Sequence, residues 1–165
     1  MSLTLQDFDE ILSAHAGFME RLLCAYERRA SVREELVQET ALALWRALPG
    51  FRGESSLKTF IARIAHNIGV SHIRRDARFR SEGDVPADMA DGADDPERQA
   101  IKAQQQMRLA DAVRALPLSL RQATILFLED LSQKEIADAI GISEGAVAVR
   151  LSRARVELAR LMGGS

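Results

Sequence analysis

The stretch Ser132-Gln-Lys-Glu-Ile-Ala-Asp-Ala-Ile-Gly-Ile-Ser-Glu-Gly-Ala-Val-Ala-Val-Arg-Leu-Ser-Arg-Ala-Arg155 decides the fold of the C-terminal half. Ser132 and Glu135 stand three apart, the spacing of a capping box, so a helix is expected to begin there. Ile136, Ala137 and Ile140 give that helix an apolar face, Gly141 supplies the backbone freedom of a tight turn, and Ser143 is placed to cap a second helix. Along this second helix Val147, Leu151, Ala154 and Leu158 recur at alternating steps of four and three. They form one inward stripe and leave Glu144, Ala148, Ser152 and Arg153 on other faces. Small Ala137, Gly141 four residues on and Val147 six beyond that suit two helices crossing at close range through a short turn. The pattern is a helix-turn-helix ending in arginines, and its second helix has the form of one that enters the major groove of DNA. The bland alternative is a helical hairpin whose arginines merely solvate a surface; the joint spacing weighs against it.

The whole chain of 165 residues, 47% hydrophobic and 28% charged, has the composition of a soluble globular protein of one medium or two small domains. Only 5% is aromatic and β-branched runs are absent, so an all-α chain is expected. No apolar run approaches the roughly 18 residues of a membrane span, and the N-terminus lacks the basic start and apolar core of a signal peptide. The expectation is a cytoplasmic protein without membrane insertion. Cys24 is the single cysteine, which leaves no intramolecular disulfide and suggests a small buried hydrophobe. His15, His66 and His72 do not combine with it or with carboxylates at a recognisable metal spacing. No nucleophile–base pair, phosphate-cradling glycine loop or paired-carboxylate site is present, so neither an enzyme, a cofactor nor a metal is expected.

The net charge of −2 conceals two opposed patches. Residues 61–80 carry five arginines (Arg63, Arg74, Arg75, Arg78, Arg80) against Asp76 alone, whereas residues 81–100 carry seven acids against Arg98 alone.

Read in order, Phe8, Ile11, Leu12, His15, Met19, Leu22, Leu23 and Tyr26 keep helical spacing, with His15 at the core edge. Ser31 and Glu34 make a second capping box, before a helix with Val37, Ala41, Leu44, Trp45 and Leu48 as its buried stripe and Pro49-Gly50 as its stop. A third helix, from about Leu57 to Arg78, buries Phe60, Ile61, Ile64, Ala65 and Ile68. On its opposite face Arg63, Asn67, Ser71, Arg74 and Arg78 follow at steps of four, four, three and four, a single stripe without an acid and with an amide able to read a base edge. Such a stripe is often only a solvated face, but surface helices normally interleave both signs, so nucleic-acid contact is expected here. Residues 81–97 combine two prolines, two glycines and dense negative charge with almost nothing to bury, the composition of a flexible linker. Helices resume with Ile101, Leu109, Ala112, Val113 and Leu116, break at Pro117, and continue through a Ser119-capped helix with Leu120, Ala123 and Phe127. The reading is two small helical domains, residues 1–80 and 98–165, joined by the acidic linker 81–97, with the helix-turn-helix in the second.

With both halves assembled, the chain resembles the extracytoplasmic-function sigma factors, small two-domain members of the bacterial sigma-70 family. The N-terminal resemblance rests on Glu35-Leu-Val-Gln-Glu39, Trp45-Arg-Ala-Leu-Pro-Gly-Phe-Arg-Gly-Glu54, Thr59-Phe-Ile-Ala-Arg-Ile-Ala-His-Asn67 and Ile73-Arg-Arg75. The C-terminal resemblance rests on Leu116-Pro117, Leu131-Ser-Gln-Lys-Glu-Ile-Ala137 and Arg150-Leu-Ser-Arg-Ala-Arg155. Helix-turn-helix modules are widespread; both signatures in this order across a short linker are far more specific.

The resemblance implies that Glu35, Leu36, Gln38 and Glu39 grip the clamp helices of core RNA polymerase. It implies that the loop 51–56 and the Asn67 face of the third helix capture a base flipped from the −10 element of promoter DNA. Arg63, Ser71, Arg74, Arg75 and Arg78 would accompany Asn67 on that strand, the arginines at its phosphates. Unstacking a base costs a few kcal/mol, which a base pocket and strand-holding charge must offset. In the second domain Glu144, Gly145, Ala148, Val149, Ser152 and Arg153 would lie nearest the −35 element, with Arg150 and Arg155 on or near phosphates. Ala148 departs from the family, where Lys or Arg is frequent. The family further implies that the linker threads the polymerase's RNA path and that an anti-sigma factor is a partner. The competing reading is a free-standing helix-turn-helix regulator with an N-terminal sensor or dimerisation domain, which would need a pocket or a symmetric apolar seam rather than a basic, amide-bearing stripe.

Overall fold

A computed structural model describes residues 2–80 and 100–163; the acidic linker 81–97 and the side chain of Ile101 lie outside the described residues. Seven α-helices and one short 3-10 turn, with no strand among the described residues, make up the fold. The first three are α1 (Leu5–Leu23), α2 (Ala30–Ala47), which runs into the 3-10 turn Leu48–Gly50, and α3 (Leu57–Arg80). After them come α4 (Ala100–Ala115), α5 (Leu118–Leu128), α6 (Gln133–Ile140) and α7 (Glu144–Leu161).

The helix-turn-helix forms as its sequence dictates. The Ser132 hydroxyl accepts the Glu135 N–H at 3.1 Å while the Glu135 carboxylate accepts the Ser132 N–H at 3.0 Å, closing the capping box. Gly141 takes φ 74°, ψ 38°, the left-handed conformation that ends α6 at no Cβ cost. Ser143 then caps α7 by accepting the Ala146 N–H. Ile136 and Val147 are fully buried where the two helices meet, and each such side chain contributes about 1.5–3 kcal/mol of hydrophobic stabilisation.

Two caps differ from the sequence expectation, at α2 and α5, and one, at α1, was not read from it. At α1, Thr4 and Asp7 form a capping box, with aspartate in the place usual for glutamate. At α2, the expected Ser31–Glu34 box does not form, because the helix starts earlier, at Ala30, and the Glu27 carboxylate accepts the Arg29 N–H at 2.9 Å from the preceding turn. At α5, Pro117 rather than Ser119 precedes the helix and no side chain caps it; the fixed φ of proline suits a helix start. The buried stripe of α2 is also rotated. Arg33, Leu36, Thr40 and Leu44 point inward, and Trp45 is 39% exposed with its ring set edge-on to Phe8 at 4.9 Å. Arg33 is tolerated there because its guanidinium donates to the Glu20 carboxylate at 2.8 Å and to the Arg28 carbonyl at 2.7 Å. Cys24 is half-buried rather than a core hydrophobe, while His15 sits at the core edge and donates to the Ile11 carbonyl.

The two helical units, read from sequence as separate, share one buried core. Met19, Leu22, Leu23, Leu44 and Ile61 of the first unit belong to the same apolar cluster as Ala123, Leu126, Ile136 and Val147 of the second. The join runs chiefly along α3 against α6, with α1 touching α5.

Candidate nucleic-acid interface

Along α3, which packs on α1, α2 and α6, Ile61, Ala62 and Ala65 are buried, which turns Arg63, Asn67, Ser71, Arg74, Arg75 and Arg78 outward, all of them exposed. The helical period thus lays one amide, one hydroxyl and four guanidinium groups along an outer face. Within the fold that face is not wholly free of acids. Arg75 lies 3.7 Å from the Glu39 carboxylate of α2, an exposed pair worth little in water. Arg63 Nε donates to the backbone carbonyl of Asp138 in α6 at 3.2 Å. His66, on the flank of the stripe, is pushed below the ordinary histidine pKa by burial and by the nearby Arg150 charge.

The α2 residues divide. Glu35, Gln38 and Glu39 are exposed and line, with Val32, Leu42, His72 and Arg75, a groove of about 550 Å³ between α2 and α3. Leu36 is 2% exposed and forms the groove's floor, so its side chain packs in the core instead of projecting toward a partner. Leu42, 51% exposed, is an apolar group on this surface that the sequence reading missed; its place outside the expected stripe of α2 was the available signal.

On α7, Val147, Leu151 and Ala154 face inward. Glu144, Gly145, Ala148, Val149, Ser152, Arg153 and Arg155 are exposed, whereas Arg150 is half-buried on the side toward His66. Ser152 and Arg153 also border a groove with Pro117, Leu120, Val156 and Glu157.

One constellation brings a histidine to two carboxylates, although the sequence shows no recognisable metal spacing there. Ligand-type atoms of Glu27, His72 and Asp76 lie within 4.8 Å of one another, and the four-residue step from His72 to Asp76 was its signal. His72 Nε2 donates to Glu27 at 2.6 Å, but Arg29 already bridges the acids, donating to Glu27 at 2.9 and 3.0 Å and approaching Asp76 at 3.5 Å. The cluster is a brace that ties the α1–α2 turn to α3. Burial alone would raise the Glu27 carboxyl pKa, yet the side-chain and backbone hydrogen bonds from Arg29, with that from His72, outweigh it and hold the group at about 2.

Comparison with known proteins bears on this geometry. Residues 11–79 match the Sigma-70 region 2 family and residues 106–158 match Sigma-70, region 4. The ECF RNA polymerase sigma-E factor of Salmonella typhimurium is 30% identical over 131 residues, which cover 73% of this chain and 69% of that protein. The chain belongs to the ECF sigma factors. This sigma factor is also 36% identical over 174 residues to the ECF RNA polymerase sigma factor SigG of Mycobacterium tuberculosis; the match covers 88% of the chain and about half, 47%, of that relative's length. Its fold is that of the sigma factor RpoE of Bartonella quintana, solved in complex with the anti-sigma factor NepR (TM-score 0.81, 24% identity, 96% of this chain and 98% of that one). CnrH, solved with the cytosolic domain of CnrY, is similar too (TM-score 0.70, 22% identity, 98% and 91%). Within this sigma factor the exposed stripe of α3 lies in the region 2 match and the helix-turn-helix in the region 4 match. No described helix is long and apolar enough to cross a membrane.

Proposed function

We propose that this sigma factor binds core RNA polymerase and directs it to promoters, residues 1–80 engaging the polymerase and the −10 element and residues 98–165 the −35 element. The observation that carries the proposal is the pairing, in one chain, of an outward stripe of arginines around Asn67 on α3 with a fully capped helix-turn-helix on α6 and α7. The stripe suits a single strand, since guanidinium groups hold phosphates while a side-chain amide meets the edge of an unstacked base. The exposed acids and amide of the α2 groove, Glu35, Gln38 and Glu39, suit a basic partner surface and are assigned to the polymerase, over the floor made by Leu36. On α7, Arg153 is assigned to a base edge and Arg150 and Arg155 to phosphates. The partners are therefore core polymerase, promoter DNA and, as for the RpoE of the solved complex, an anti-sigma factor.

Run-off transcription with purified core polymerase on genomic fragments, followed by start-site mapping, tests this. New starts that share paired sequence elements are expected. Tight sequence-specific duplex binding without polymerase, and no new starts with it, would point instead to a free-standing helix-turn-helix regulator.

A further inference from the structure

Two arginines present the Nε–Nη2 edge of the guanidinium as a fork to a carboxylate. Arg21 sets both nitrogens on Glu129 at 2.5 and 3.0 Å, and Arg29 sets both on Glu27 at 2.9 and 3.0 Å. Arg121, half-buried on α5, breaks this pattern. Its Nη1 donates to the Arg114 carbonyl at 3.2 Å. Its Nε is the one buried side-chain nitrogen or oxygen among the described residues without a hydrogen-bond partner. A buried donor without a partner is costly, and a charged one more so.

The surroundings add to that cost. Burial and then the charge of Arg28, in the turn after α1, push the Arg121 guanidinium below its ordinary pKa, and no carboxylate among the described residues offsets them. Tyr26, in the same turn, also interacts with Arg121 and hydrogen-bonds His66 Nδ1 at 2.6 Å. The charge of Arg150, on α7, acts in turn on His66. Three guanidinium groups thus border the Tyr26–His66 pair.

Water can bond a lone N–H, but it brings no charge to set against neighbouring guanidinium groups. A phosphate dianion does both, because two of its oxygens match the spacing of a guanidinium fork and its charge relieves the repulsion between Arg28 and Arg121. We propose that the Nε–Nη2 edge of Arg121, together with Arg28, forms a site for a phosphate group, either the free ion or a small-molecule ester. The charge of Arg150 adds to the attraction. Neither Arg28 nor Arg121 belongs to a surface assigned to polymerase or promoter DNA, so the site is accessible to measurement on the full chain alone.

Inorganic phosphate and adenosine monophosphate are the probes, titrated calorimetrically into the full chain at an ionic strength held constant with sodium chloride. Arg121→Gln should weaken phosphate binding about tenfold or more. Arg121→Lys keeps the charge but lacks the fork, and should lose nearly as much. Arg108→Gln makes the same charge change as Arg121→Gln on the exposed face of α4 and should bind like wild type. On wild type, the Arg121 Nε–H resonance should shift with phosphate and stay in place with chloride, a readout that survives should an Arg121 variant fail to fold. Binding of inorganic phosphate alone would support the free ion as ligand, and equal or tighter binding of adenosine monophosphate would support an ester. The site is overturned if phosphate gives neither heat nor a resonance shift beyond chloride, if Arg121→Lys keeps wild-type affinity, or if Arg108→Gln loses as much as Arg121→Gln.

Discussion

The phenol ring of Tyr26 lies directly on the backbone of Gly69: a Cβ built at that glycine would stand 2.5 Å from the ring's Cγ. The hydroxyl of the same tyrosine is 2.6 Å from His66 Nδ1, one turn earlier on α3. Gly69 is thus the residue that lets the α1–α2 turn close onto α3, and the turn in turn fixes the rotation that sends Asn67 and Ser71 outward.

An alanine in an exposed helix interior would stabilise by about 1 kcal/mol relative to glycine. At position 69 the buried ring must move first, so Gly69→Ala should destabilise by about 1–3 kcal/mol. Urea unfolding of Gly69→Ala, Tyr26→Ala and the double variant checks the contact: the double variant should be more stable than the sum of the single losses requires. Strict additivity would refute it.

Acid should loosen the brace at Glu27. Its carboxyl is held at about 2 against an ordinary value of 4.5, so the folded state binds the proton less readily than the unfolded one. The stabilisation is fully present above pH 4.5 and is lost as the pH falls from there through about 2. The shift corresponds to about 3 kcal/mol, which screening by solvent reduces to on the order of 2 kcal/mol. Glu27→Gln should flatten that part of the stability–pH curve, measured by chemical denaturation; an unchanged acid limb would show that other carboxylates govern it.

Asn67 is exposed in the middle of the stripe, away from the α2 groove. Asn67→Ala should therefore slow promoter opening while leaving holoenzyme assembly near wild type. Permanganate reactivity of the −10 region and a competition assay for core polymerase separate the two effects. Normal opening kinetics would remove Asn67 from the site.

Arg153 and Arg155 are both exposed, but on different arcs of α7. If Arg153 reads a base, Arg153→Ala should cost about 1–3 kcal/mol at the cognate −35 sequence and much less at a scrambled one. Arg155→Ala should weaken both sequences about equally and lower the magnitude of the salt slope by roughly one. Reconstituted holoenzyme is the proper material. Equal losses on both sequences for both variants would make Arg153 a phosphate anchor and leave −35 specificity to Glu144, Ser152 or DNA shape.

What the sequence alone determined was set by neighbours within a few turns. The Ser132–Glu135 box, the left-handed Gly141, the Ser143 cap and the outward stripe of α3 were all legible, because caps and helical periodicity act over three to eleven residues. The same local logic erred where a competing neighbour or the packing of another helix decided the outcome. α2 starts at Ala30 without a side-chain cap, Glu27 accepting the N–H of the preceding Arg29, and the rotation of α2 exposed Trp45 and buried Leu36 because α1 and α3 chose which face to cover. Only the tertiary structure brought His72 and Asp76 to Glu27, and only it closed the seam in which Thr59 meets Glu135 across 76 residues of chain. No periodicity encodes such a contact. It depends on two helix faces meeting after each has formed, with burial drawing Ile61 and Ile136 into one core and hydrogen bonding selecting the register.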